Sequence, residues 1–228
     1  MNYVFPLSTP SIPVAGTGLH YPVRRIYCVG RNYAEHAREM GFDPNREPPF
    51  FFSKPADAIV PGGGAIRYPL ETENFAYEME LVVALGKEGV GVPPKAALDY
   101  VYGYAVGLDM TRRDLQIAAR DKGRPWDVGK GFDQSAPVSP IHRAADIGHP
   151  ASGRIWLEQN DAIKQDGDLK QMIWPVPDII AYLSKLFVLR PGDLIYTGTP
   201  AGVGPVKPGD RLVGGVDGVD QIAIEIEP

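Results

Sequence analysis

Apolar residues in this chain gather into short runs separated by frequent Gly and Pro, a pattern that predicts strands more often than long helices. Strands are expected at 25–29, 50–53, 77–85, 101–107, 154–158, 193–196 and 221–227. Two Pro-Gly-Asp turns, at 191–193 and 208–210, each stand just before a strand candidate. Helical spacing is found at 33–40, 94–100, 111–122 and 177–187. The last of these sets Ile179, Ile180, Leu183, Leu186 and Phe187 toward a core. Residues 160–167 read as a hairpin connection with Asp166-Gly167 as its turn. There is no internal repeat, low-complexity tract or linker. The pattern therefore describes one β-rich α+β domain spanning 1–228.

One run breaks the hydrophobic logic. In YEMEL, Glu78 and Glu80 stand two apart in a strand that continues through Leu81, Val82, Val83, Ala84 and Leu85. Side chains alternate along a strand, so the two carboxylates share a face. If that face is buried, two like charges so close need a cation or a shared proton; an edge strand with a solvated acidic face is the simpler alternative. A third carboxylate, Asp109, stands where the 101–107 strand gives way to the polar helix MTRRDLQ. Three carboxylates without His or Cys form a hard oxygen set suited to Mg²⁺ or Mn²⁺, with positions left for water and substrate.

Composition narrows the rest. The 228 residues are 44% hydrophobic and 22% charged, enough to bury a sizeable core, and the net charge of -5 with pI near 5.4 argues against nucleic acid as a partner. The opening MNYVFPLSTPSIPVAG has neither the basic start nor the unbroken apolar stretch of a secretory signal, and no run is long enough for a membrane helix. A single cysteine, Cys28, fits a reducing cytoplasm and reads as a packed core thiol. Between Thr111 and Lys130 there are six Lys/Arg against three Asp/Glu, which favours an anionic ligand there. At least half of Arg112, Arg120, Lys122 and Arg124 are expected to form a solvated helix face. In GRNYAEHAREM, His36 and Glu39 stand three apart on an expected helix, an arrangement in which a carboxylate can orient an imidazole as a general base.

Taken in order, GRNYAEHAREM, FFFSKP, YEMEL, GLDMTRRDLQ, PWDVGKGFD and TGTPAGVGP resemble the fumarylacetoacetate hydrolase family, and the resemblance spans roughly 26–204. It is nearest in kind to short single-domain acylpyruvate hydrolases, the bacterial fumarylpyruvate hydrolases of gentisate breakdown among them. The resemblance implies a mixed β-sheet roll or sandwich with short flanking helices, residues 1–22 forming an extension packed on the catalytic domain. It implies that Glu78, Glu80 and Asp109 hold Mg²⁺ or Mn²⁺. His36 and Glu39 are implied to activate water on a segment that serves as a lid, and Lys130 stands near the metal. Arg113, Gln116, Thr199 and Lys54 fall at substrate positions. The implied substrate is a small anionic 2-oxo acid, probed in the cytoplasm by a homodimer. An oxaloacetate decarboxylase or a 2-oxo-enoic acid hydratase or isomerase is the alternative on the same scaffold. Where many relatives carry serine after the lysine, this chain has Gly131.

Overall fold

The computed structural model describes residues 4–35 and 47–228. Its main sheet runs in the order Phe50–Lys54, Arg25–Gly30, Asp193–Tyr196, Met79–Leu85, Val101–Leu108, Ala136–Val138 and Ile59–Pro61, with His142–Arg143 also paired to Val101–Leu108. Asp193–Tyr196 lies parallel to Arg25–Gly30 and Ala136–Val138 lies parallel to Ile59–Pro61; the remaining pairings are antiparallel, so the sheet is mixed. A second sheet orders Ala162–Asp168, Arg154–Gln159, Arg211–Val216, Asp220–Glu227 and Gly64–Arg67.

Both faces of the main sheet are covered, which explains why 81–85 reads as an unbroken apolar run. Leu81, Val83 and Leu85 pack with Val106, Leu108 and residues of the second sheet such as Ile155 and Ile224. Ile179, Ile180 and Leu183 of the Val176–Leu186 helix complete that layer, the helix being started by Pro175 and carrying Asp178 in its first turn. Val82 and Ala84 point the other way and join Ile26, Cys28, Ala105 and Leu194. The amino-terminal strands Ser11–Pro13 and His20–Pro22 pair with each other, and Ile12 and Val14 add to this second core. Glu80 occupies the same face as Val82 and Ala84, one step further along. The carboxylates thus stand where an apolar layer ends.

Several sequence expectations are revised. The 77–85 strand is two: Phe75–Tyr77 belongs to a small sheet with Thr111–Arg112 and Gly204–Pro205, and Met79–Leu85 belongs to the main sheet. The chain changes sheets at Glu78, whose carbonyl accepts from the Asp109 N–H while the Met79 N–H goes to the Gln165 side chain. The hairpin turn is at Asn160-Asp161, both with left-handed φ, as a tight turn between twisted strands requires. Asp166 and Gly167 are instead paired within the ladder to Trp156 and Ile155. Gly167 is needed for close approach, because a Cβ there would stand 2.9 Å from Pro200. The 94–100 segment is a 3₁₀ helix, and the 111–122 helix spans Arg113–Asp121. Leu186 and Phe187 are exposed because the helix stops at Leu186 and Phe187 is extended. Of the 33–40 helix, Tyr33 instead forms an isolated bridge with Met172, Ala34 and Glu35 are helical, and 36–40 lie outside the described residues.

Candidate active site

Glu78, Glu80 and Asp109 each present a carboxylate oxygen, and the three lie within 4.8 Å of one another with all three residues buried. Glu78 comes from the sheet-to-sheet crossing, Glu80 from the strand that follows it, and Asp109 from the end of the neighbouring strand, held beside Glu78 by its backbone N–H. Lys130, from the short Asp127–Lys130 helix, donates from Nζ to Glu78 Oε2 at 2.8 Å, Asp109 Oδ2 at 2.7 Å and Thr111 Oγ1 at 2.8 Å. Arg113 donates to Glu78 Oε1 and, at 2.6 Å, to Gln116 Oε1. Gln116 thereby holds the guanidinium on the carboxylate. Lys54 is wholly buried behind Asp109, its Nζ 2.8 Å from Asp109 Oδ1 and donating to the Met110 and Lys130 carbonyls.

Burial, then Asp109 and Glu78, push the Glu80 carboxyl well above its usual range, with the Gly198 N–H at 2.7 Å acting against them. Burial works to depress the Lys130 ammonium, but Asp109 and Glu78 outweigh it and hold its pKa above the ordinary lysine value. Lys130 is therefore a charged donor toward these two carboxylates. Cys28 has no exposure and burial drives its thiol far up, consistent with a core residue.

The residues fit a hard divalent cation. Carboxylate oxygens are the only triad donors, they converge, and nearby Lys130, Arg113 and Lys54 already offset their charge, so an added dication would leave a positive surplus for an anionic ligand. Without a cation, the folded chain retains a proton on Glu80 where the unfolded chain loses it. Its folded pKa is raised, so this contribution to metal-free stability is present below 4.5, the ordinary glutamate value, and is lost as pH rises. A cation requires the carboxylate and so stabilises more over the same window. The gap in Tm between Mn²⁺-loaded and EDTA-treated protein is expected to widen as pH rises above 4.5, the ordinary glutamate value. A constant gap would contradict this origin for the Glu80 shift.

Glu78 and Glu80 of the triad open onto a cavity whose walls include Arg113, Gln116, Lys130 and Thr199. Thr199 sits on the 197–200 loop, and its hydroxyl donates to the Met79 carbonyl at 2.8 Å while accepting from Gln165 Nε2. Gly198 has φ 95°, and a Cβ there would stand 2.7 Å from Asn32 Cβ, so only glycine lets this loop place its N–H on Glu80. His36 and Glu39 lie outside the described residues. Asn32, four residues before His36, is fixed by bonds to the Trp174 and Thr197 carbonyls and from the Trp174 N–H.

Gln165 escaped the sequence reading. It accepts from the Met79 N–H and donates to Thr199 Oγ1 and the Pro200 carbonyl, joining the strand that carries Glu80 to the loop across from it. Gln165→Leu would leave these buried groups unpaired, with an expected loss of about 3 kcal/mol in urea unfolding; a loss below about 0.5 kcal/mol would show that the network is dispensable. Thr111, Phe50, Phe52 and Trp126 were also passed over as site residues. Period-two alternation in FFFSKP places Phe50 and Phe52 on one face with Lys54, which is a usable signal.

The model described as Fumarylacetoacetate (FAA) hydrolase C-terminal matches residues 25–226. The chain belongs to the fumarylacetoacetate hydrolase family. Within that family it is similar to the fumarylpyruvate hydrolase of Pseudomonas aeruginosa, solved in complex with Mn²⁺ and pyruvate, at a TM-score of 0.97 and 51% identity over 99% of each chain. It is 47% identical over 186 residues to the fumarylpyruvate hydrolase of Ralstonia sp, covering 82% of this chain and 96% of that one. It is also 44% identical over 204 residues to a mitochondrial oxaloacetate tautomerase of Mus musculus, covering 90% and 92%. The strand-rich mixed-sheet fold is that of the fumarylacetoacetate hydrolase family.

Proposed function

We propose that this protein is a metal-dependent hydrolase that cleaves the carbon–carbon bond of a 2,4-dioxo acid, fumarylpyruvate giving fumarate and pyruvate. The observation that carries the reading is the buried carboxylate triad, with charged Lys130 upon it, at the base of a cavity lined by Arg113 and Gln116. The likeness to bacterial fumarylpyruvate hydrolases supports the acyl group; a place in gentisate breakdown, a cytoplasmic setting and a homodimer are further parts of the proposal, drawn from the family resemblance alone. No described helix is long and apolar enough to cross a membrane.

Glu78, Glu80 and Asp109 would hold Mg²⁺ or Mn²⁺, which supplies Lewis acidity toward the 2-oxo acid end of the substrate. Arg113 and Gln116 line the approach and orient that end. His36 and Glu39, which the family resemblance assigns to water activation, would take a proton from water as its oxygen adds to the distal carbonyl. The bond between that carbonyl carbon and the methylene then breaks, its electron pair passing to the pyruvate half as an enolate, and a proton returns to the methylene carbon. Lys130, kept charged, can donate to oxygen as negative charge develops. Lys54 keeps Asp109 in place from behind.

Hydrolysis in H₂¹⁸O is expected to put the label into the fumarate carboxylate, and in D₂O to put deuterium into the pyruvate methyl group. Failure of ¹⁸O to enter fumarate would refute water attack at the distal carbonyl. A second reading, decarboxylation of oxaloacetate or hydratase or isomerase chemistry on a 2-oxo-enoic acid, is favoured by the likeness to the oxaloacetate tautomerase. It needs the same triad, and its decarboxylation branch needs no activated water.

A further inference from the structure

We infer that the cavity wall formed by Arg31 and Arg120 is a second anion site, which binds a carboxylate at the far end of the acyl group and makes the enzyme selective for dicarboxylic acylpyruvates. This rests on the proposed hydrolase reading and adds the residues that choose the substrate. The Arg113–Asp121 helix acts as a ruler. Arg113, Gln116, Ile117 and Arg120 all line the cavity and fall at intervals of three, four and seven, so they share one helix face. Arg113 is bound to Glu78, and Arg120 stands two turns further on, roughly 10 Å along the axis. In fumarylpyruvate six carbon–carbon bonds separate the two carboxyl carbons. Three chain bonds span about 3.8 Å, so the extended molecule spans roughly 7.5 Å between them. With hydrogen-bond reach at either end, that length joins the triad pole to Arg120.

The wall between the two poles is apolar and aromatic. Phe50 meets Trp126 edge-on at 5.4 Å and Phe52 lies 5.7 Å from the same ring. The Arg31 guanidinium sits 4.9 Å over Phe50 and is thereby set at the cavity rather than in bulk water. Arg31 also takes φ 54° directly after the Arg25–Gly30 strand, a conformation that a non-glycine residue holds when its surroundings fix it. Desolvation lowers the Arg31 pKa; Glu47 acts to raise it and Arg120 to lower it again. The two guanidiniums thus share one partly dry wall, where each can reach an anion in the cavity. Asp121 pairs with Arg120 at 2.9 Å, but this carboxylate is largely solvated and leaves Arg120 on the cavity wall.

The test compares kcat/KM for fumarylpyruvate, which ends in a carboxylate, with that for acetylpyruvate, which does not, in wild type, Arg31→Met, Arg120→Met and Arg120→Lys. The preference for fumarylpyruvate is expected to fall on the order of 10- to 100-fold in each methionine variant, as for loss of a charged hydrogen bond. The lysine variant should recover part of it. A preference that stays within about threefold of wild type in both methionine variants would overturn the inference. A second readout does not depend on turnover: fumarate is titrated calorimetrically into protein saturated with Mn²⁺ and oxalate. Weakened fumarate binding in the methionine variants supports the subsite, and unchanged binding overturns it. If wild type hydrolyses neither acylpyruvate, the hydrolase reading fails while this titration still decides the anion site.

Discussion

Glu80→Gln is expected to abolish tight Mn²⁺ or Mg²⁺ binding and to lower acylpyruvate hydrolysis by at least roughly 10³-fold, since polarisation by a bound cation contributes several kcal/mol to such a transition state. The fold should survive, because the substitution conserves volume and an amide oxygen can still accept from the Gly198 N–H. The metal-free variant should be no less stable than metal-free wild type. In wild type Glu80 is buried among Asp109 and Glu78 and is difficult to ionise, a burden that glutamine removes. Calorimetric metal titration and thermal unfolding in EDTA measure both effects. A variant that hydrolyses fully in EDTA would remove the triad from the mechanism.

His36→Ala should separate two reactions that share the metal. Decarboxylation of oxaloacetate needs stabilisation of an enolate as carbon dioxide leaves, whereas hydrolysis of an acylpyruvate also needs a base to deprotonate water. General-base assistance is worth about 10²–10⁴-fold, so that much hydrolytic activity should be lost while metal affinity and any decarboxylase activity change little. Equal loss in both reactions would assign His36 to substrate binding or closure instead of base catalysis.

The candidate site was legible where chemistry and periodicity coincide. Alternation in YEMEL announced that Glu78 and Glu80 share a face, and the structure adds the reason both can be buried: Lys130, Arg113 and the Gly198 N–H compensate them. Asp109 was found because a polar residue at the end of an apolar strand is conspicuous. What stayed hidden were contacts made across long sequence separations. Gln165 lies 86 residues from Met79, and nothing local distinguishes it from a surface glutamine. Arg120 reads as part of a solvated helix face until the cavity places it on a wall. The fold was legible as a β-rich set of strands, but the change of sheet at Glu78 was not. No turn residue marks it, because the Asp109 N–H and the Gln165 side chain, rather than a local turn, take the backbone hydrogen bonds there. The hairpin was misplaced because Asp-Gly is the stronger turn signal, whereas Asn160 is held by Asp210 and by the Arg211 N–H.

The central claim is that the triad serves hydrolysis of an acylpyruvate, and one assay addresses it directly. Purified protein is given fumarylpyruvate, acetylpyruvate or oxaloacetate, each with Mn²⁺ and again with EDTA, while pyruvate and the second product are quantified. The account predicts rapid release of equimolar fumarate and pyruvate from fumarylpyruvate, slower cleavage of acetylpyruvate, and loss of both in EDTA. Efficient decarboxylation of oxaloacetate with no cleavage of either acylpyruvate would contradict it.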